Sequence, residues 1–264
     1  WNRIAPILKK RGILIIEDSA DTLGATYKKK STGHHADISI TSFYGSHIIN
    51  CAGNGGMVCF NDKSKYTKAK LLRSWGRSSS LFDEKSEKIE NRFNIKLDGI
   101  SYDKKFVFEK IGHNLEPSEI GAAFGLIQLK KLKKNLNKRE INFNLHTNYL
   151  RKYSKYFILP KQLPQTKTGW LAYPITLRKN SPFSRTDMQI FLEKKNIQTR
   201  VVFTGNILRQ PGFKKIKAIK NKNGYPEADK VMKNGILIAC HHGLTKNMVI
   251  HIHQSIDEFI SKYA

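Results

Sequence analysis

The chain has 264 residues, 39% of them hydrophobic, with 47 lysines and arginines against 21 acids for a formal charge of +26. This apolar share excludes a disordered chain and suffices for one large domain or two small ones. No apolar run approaches the ~20 residues that cross a bilayer, and Cys51, Cys59 and Cys240 form no CxxC pair or disulfide frame, which fits a reducing, cytoplasmic setting. The start, Trp1-Asn2-Arg3, is neither an initiator methionine nor a signal peptide, so the expectation is a chain whose N-terminal part is missing.

Trp1 to Lys10 reads as the tail of an amphipathic helix, ended by Gly12. Ile13 to Glu17 reads as a buried apolar strand that delivers Asp18 at its C-terminal edge, and Ile38 to Ser42 as a second strand running into a turn with His47. Two such strands of an α/β sheet would build a site where they end. Gly53-Asn54-Gly55-Gly56 leads into a strand at Met57–Phe60, and Tyr66 to Trp75 has helical spacing. Ser78 to Asp103 is polar and aperiodic, long enough to suggest a functional excursion. Ser118 is placed to cap a long helix with an apolar face of Ile120, Ala123, Phe124, Ile127 and Leu132. A composition shift near Leu159-Pro160 divides the chain into 1–158 and 159–264. Beyond it come strands at Trp170–Leu177, Thr199–Phe203 and Gly235–Ala239, a helix at Arg185–Lys195, and a C-terminal helix through Phe259. Strands alternating with helices give an α/β first part and a smaller α+β second part.

The charge is spread rather than focused. Lys131, Lys133, Lys134 and Lys138 have no interleaved aromatics to stack on bases, and no nucleic-acid-binding signature appears. A lysine-rich solvated surface is the favoured reading, and it would also attract an anionic sugar nucleotide.

Asp18 at a strand end suits a protonated ring nitrogen, or else caps the next turn or pairs with a lysine. His47 is able to move a proton near neutral pH, or else is a surface or satisfied core histidine. Ser42 offers a donor to a phosphate. The glycine-rich 53–56 run lacks the P-loop and dinucleotide fingerprints and equally suits a tight turn. His34-His35, His241-His242 and His251-x-His253 lack partners at metal-ligand spacing, so no metal is expected.

Taken together, Ile16-Glu17-Asp18-Ser19-Ala20-Asp21-Thr22-Leu23-Gly24-Ala25 and Thr41-Ser42-Phe43-Tyr44-Gly45-Ser46-His47 resemble the cofactor-aspartate and cofactor-lysine motifs of the DegT/DnrJ/EryC1/StrS sugar aminotransferases. Histidine stands in the lysine position, which resembles the nucleotide-sugar 3-dehydratase branch. Tyr102–Phe106, Ile111–Leu115 and Thr199–Pro211 are similar to that branch as well. The resemblance implies a fold-type I α/β large domain, here incomplete, and a small α+β domain.

It implies pyridoxal or pyridoxamine phosphate as cofactor, with Asp18 on the pyridine nitrogen, Asp21 also in the cofactor site, Ser42 on the phosphate, and Asn114 reaching the phosphate of a neighbouring subunit in a homodimer. Tyr44 and Arg200 would touch the substrate, Arg200 through an anionic group that is either the sugar diphosphate or the amino donor's carboxylate. The substrate would be a nucleotide-linked 4-keto sugar and the amino donor an acid such as glutamate, with neither a membrane nor a specific nucleic acid as partner. An imidazole forms no Schiff base as a lysine amine does, so His47 would act as the base while the sugar's C3 hydroxyl leaves. Ala20, Ser79, Leu81 and about Ile89 occupy the places of four iron–sulfur cysteines, so no such cluster is expected. Asn54 departs from the family's usual glutamate. Two rival readings are a related aminotransferase-like protein with lost or altered activity, and a non-catalytic basic polyanion binder.

Overall fold

The computed structural model describes residues 1–263, which divide into two compact units: residues 1–21 with 31–130, and residues 22–30 with those from 131 onward.

The first unit is organised on a three-stranded sheet. Helix α1 (Ala5–Lys10) leads to β1 (Ile16–Asp18), which pairs in parallel with β2 (Ile38–Ser42), Ile16 opposite Ile38 and Asp18 opposite Ile40. Strand β3 (Gly56–Phe60) returns antiparallel on the other side of β2, Ser42 opposite Gly56. β1 is shorter and more exposed than its composition suggests. Ile15 is buried with Ala5 and Ala36, whereas Ile13, Leu14 and Ile16 are exposed. The backbone explains part of this. Ile15 donates its N–H to the Asp37 carboxylate at 2.8 Å, and only its carbonyl joins the pairing, accepting the Ile38 N–H at 3.2 Å.

Helix α2 (Lys63–Arg73) follows, capped by Asp62, whose carboxylate accepts the Lys65 N–H at 2.8 Å. The 78–103 excursion contains a 3₁₀ turn at Ser78–Leu81, a helical turn at Ile89–Arg92 and a small hairpin of Lys96–Leu97 with Ile100–Ser101. Arg92 Nε donates to Asp103 at 2.8 Å and closes it. That bond, chiefly, holds the Asp103 carboxyl down at about 2.

Helix α3 (Glu119–Leu150) is 32 residues long. Ser118 Oγ accepts the Gly121 N–H at 3.3 Å, the expected cap. The expected apolar face is not buried within the first unit. Ile120, Phe124 and Ile127 are exposed, and the buried positions there are Gly121 and Gly125. Any side chain at Gly125 would collide with Cys51 Sγ, so two glycines one turn apart let α3 lie close to the loop that carries His47.

In the second unit β4 (Phe157–Ile158), β5 (Tyr173–Leu177), β6 (Arg200–Val201) and β7 (Gly235–Ile238) form an antiparallel sheet in the order β6-β7-β5-β4. β5 alternates as a half-buried strand should: Tyr173, Ile175 and Leu177 are buried, and Pro174 and Thr176 are less so. Helix α4 (Arg185–Lys194) opens with a reciprocal capping box of Ser184 and Asp187 and buries Met188 and Leu192, four residues apart on one face. Helix α5 (Pro226–Asn234) precedes β7, and α6 (Lys246–Ser261) closes the unit with Val249, Ile252, Ile256, Phe259 and Ile260 in the core.

The C-terminal part of α3 belongs to this core through Phe143 and Leu150, and it also carries buried polar groups. Arg139 Nη1 donates to the Trp170 and Leu171 carbonyls, and Asn142 donates to the His241 carbonyl at 2.8 Å. Burial lowers the Arg139 pKa. These bonds engage Arg139 Nη1 and Asn142 Nδ2 and fix the helix against the 170–171 and 241 backbone.

Candidate active site

Parallel pairing puts the C-terminal ends of β1 and β2 at one edge of the first unit's sheet, and Asp18 and Ser42 stand at those ends. Asp18 is exposed and accepts the Ala20 N–H at 3.1 Å, so it also caps the following turn. The neighbouring Glu17 accepts from Ser19 Oγ at 2.9 Å and from the Gly33 N–H at 2.8 Å. Glu17 thus pins the start of the 19–21 turn, a role that its place inside an apolar run does not advertise.

His47 sits in the loop between β2 and β3. Ile48 and Ile49 beside it are almost fully buried and anchor the turn. The loop is closed by Phe43 N–H to the Gly55 carbonyl at 2.8 Å and Cys51 N–H to the Phe43 carbonyl at 3.1 Å. The 53–56 glycines serve this return: Gly53 has φ +117°, and a side chain on Gly55 would strike Cys51 and Phe43.

The imidazole itself is held at both nitrogens. Nε2 lies 2.9 Å from Asp21 Oδ1, and Nδ1 lies 3.4 Å from the Ser42 carbonyl oxygen. The His47 side chain is 17% exposed, and the exposed ring of Tyr44 lies edge-on to it with centroids 5.7 Å apart. The pairing of Asp21 with His47 has no signal in the sequence, because the two residues lie on separate loops brought together only by the parallel β1–β2 pair. Ser42 Oγ accepts the Tyr44 N–H at 3.2 Å, which leaves its own hydrogen for another acceptor.

Asn114 lies on a different feature of the same unit. It forms an isolated bridge with Ser74, flanked by Trp75 N–H to the His113 carbonyl and Leu115 N–H to the Arg73 carbonyl. Glu116 accepts from Ser74 Oγ and pairs with Arg73 at 3.2 Å, locking this bridge to the end of α2. Arg200 belongs to the second unit. It is exposed on edge strand β6 and borders a cavity of about 550 Å³ that also involves Leu237, Ile238, His241 and Ile252.

A family model described as the DegT/DnrJ/EryC1/StrS aminotransferase family matches residues 2–257. The chain belongs to this family. Among curated relatives in the DegT family, it is 30% identical over 263 residues to dTDP-4-dehydro-2,6-dideoxy-D-glucose 3-dehydratase of Saccharopolyspora spinosa, covering 99% of this chain and 56% of that one. It is 29% identical over 260 residues to lipopolysaccharide biosynthesis protein RfbH of Salmonella typhimurium, covering 98% and 59%. The chain thus spans rather more than half the length of these relatives. A solved structure of E. coli GDP-4-keto-6-deoxy-D-mannose-3-dehydratase with bound hydrated PLP superposes with a TM-score of 0.81 at 23% identity, over 96% of this chain and 63% of that one. The fold is α/β, of fold-type I, as the DegT motifs imply.

The donor set at the sheet edge fits a pyridoxal-type cofactor in chemical kind. A carboxylate suits a pyridine nitrogen, a hydroxyl with a free hydrogen suits a phosphate, and an imidazole at the same edge is a group that takes and returns a proton.

Proposed function

We propose that this chain is part of a pyridoxal/pyridoxamine-phosphate-dependent dehydratase. It would remove the C3 hydroxyl of a nucleotide-linked 4-keto-6-deoxy sugar in deoxysugar or surface-polysaccharide synthesis. The observation that carries the reading is His47, paired with Asp21 at 2.9 Å on the loop where the family motif has lysine. The names of two relatives, a dideoxyglucose 3-dehydratase and a lipopolysaccharide biosynthesis protein, point the same way. In this reading residues 1–158 belong to the cofactor-binding domain with its linking helix, and residues 159–264 form the small domain.

When bound, the cofactor supplies an electron sink and an amine that condenses with the sugar ketone. Asp18 holds the pyridine nitrogen and keeps its charge in place. Ser42 donates to the phosphate, and Asn114 reaches the phosphate of the second subunit in a homodimer. Asp21 also meets the cofactor and orients the imidazole. Asp21 at Nε2 and the Ser42 carbonyl at Nδ1 hold the ring, and His47 takes the proton on a nitrogen that turns from its partner toward the cofactor. An imidazole forms no covalent tether, so the cofactor is held by these contacts alone. Tyr44 packs beside the imidazole at the substrate side, and Arg200 binds an anionic group of the substrate or of an amino donor such as glutamate. No iron–sulfur cluster takes part in this reading.

The test is to incubate full-length protein with pyridoxamine phosphate, glutamate and GDP- or dTDP-linked 4-keto-6-deoxy sugars, and to follow carbon 3 by NMR. A 3-deoxy product is expected. A 4-amino sugar with the C3 hydroxyl retained would support an aminotransferase instead.

A further inference from the structure

We propose that the segment from Phe213 to Tyr225, between β6 and α5, is a docking surface for an anionic lipid bilayer. This goes beyond the proposed chemistry and revises the expectation that no membrane takes part. It concerns surface association, not a span.

Five lysines, Lys214, Lys215, Lys217, Lys220 and Lys222, fall within nine residues, and no acid occurs between Glu193 and Glu227. Every residue from Pro211 to Glu227 is exposed. The ion pairs of this unit involve Lys152, Lys167, Lys195, Arg209 and Lys230. None of the five loop lysines takes part in an ion pair among the described residues. Their charge is therefore not neutralised within the fold.

The apolar residues decide which polyanion fits. Phe213 and Ile216 are each 42% exposed and Ile219 is fully exposed, spaced every third residue between the lysines. A branched aliphatic side chain gains nothing by stacking on a nucleobase, whereas it partitions into the headgroup boundary of a bilayer. Lysines beside it gain from the negative surface potential of acidic lipids. The loop combines both signals, while in α3 the apolar residues between the lysines, Leu132 and Leu136, are only partly exposed and the exposed ones, Leu126, Ile127 and Leu129, precede the lysines.

The experiment is flotation of the chain with vesicles of phosphatidylcholine mixed with phosphatidylglycerol, and with phosphatidylcholine alone. Binding is expected only to the anionic vesicles and weakens as salt rises. Replacing Lys214, Lys215, Lys217 and Lys220 by Gln should lower the affinity at least about tenfold. Replacing Lys130, Lys131, Lys133 and Lys134 of α3 by Gln, an equal change of charge, should leave it nearly unaltered. Ile219→Ser should weaken binding with no change in charge. The altered loop positions are exposed, so circular dichroism spectra should match the parent chain. Absent binding, equal loss from the two lysine sets, or full retention by the loop variants overturns the proposal. Tighter binding to polyuridylate that ignores Ile219→Ser would also overturn it, in favour of a nucleic-acid surface.

Discussion

At the scale of single residues, the decisive feature is that an imidazole and a carboxylate from two loops meet at one sheet edge. His47 is fixed by Asp21 on one nitrogen and faces the Ser42 carbonyl with the other. His47→Asn should lower dehydration turnover by about 10²–10⁴, the usual contribution of a general base. Asp21→Asn keeps the shape but removes the carboxylate, and should lower kcat by less than that while KM stays nearly constant. A kinetic series on the full-length protein checks both, and an Asp21→Asn variant with parental kcat would remove Asp21 from the orienting role. These residues were legible in the sequence as members of motifs, since Asp18, Ser42 and His47 each stand at the end of, or just after, an apolar run. Their mutual geometry was not legible, because it depends on the parallel register of Ile16 with Ile38.

Among the elements, the second unit has the larger core. Leu192 on α4 is fully buried beside Met188, so Leu192→Ala should cost about 2–5 kcal/mol, measurable by urea unfolding. The junction of α3 with α6 carries an acid-sensitive pair. His146 Nε2 faces the Ala239 carbonyl at 3.0 Å and His146 Nδ1 faces His253 Nε2 at 3.0 Å. Burial, chiefly, pushes both imidazoles down to about 4. A depressed histidine binds protons in the unfolded chain before it does so in the folded one. The pair therefore costs nothing at pH 7 and destabilises progressively as pH falls from about 6.5 toward 4, by up to ~1.4 kcal/mol per group per pH unit. Thermal unfolding across that range should show the slope, and His253→Gln should flatten it; an unchanged slope would place the acid sensitivity elsewhere. Most elements were legible from periodicity: β2, β3, β5, β7, α3, α4 and α6 lie within a few residues of expectation. Two departures have physical causes. Ile13 and Leu14 read as strand because they are apolar, but Asp37 takes the Ile15 N–H and the ladder begins only at Ile16. Helix α5 starts on Pro226 with Glu227 and Asp229 in its first turn, both start signals, but it follows a polar, lysine-rich run and has no side-chain cap, so the start was passed over.

Across the whole molecule, Ile111, Leu115 and Ile120 are exposed, at 99%, 67% and 81%, close in sequence to Asn114. In the proposed homodimer this stretch would be covered by the second subunit. Ile120→Glu should then shift sedimentation of the full-length protein from dimer to monomer, and a dimer of unchanged affinity would put the interface elsewhere. The central claim remains that His47 stands where a covalent tether would otherwise be. Borohydride reduction of the full-length protein loaded with pyridoxal phosphate, followed by intact-mass measurement, tests it most directly. The account predicts an unmodified chain mass with the cofactor released on denaturation, whereas a stoichiometric adduct on a single lysine would contradict it.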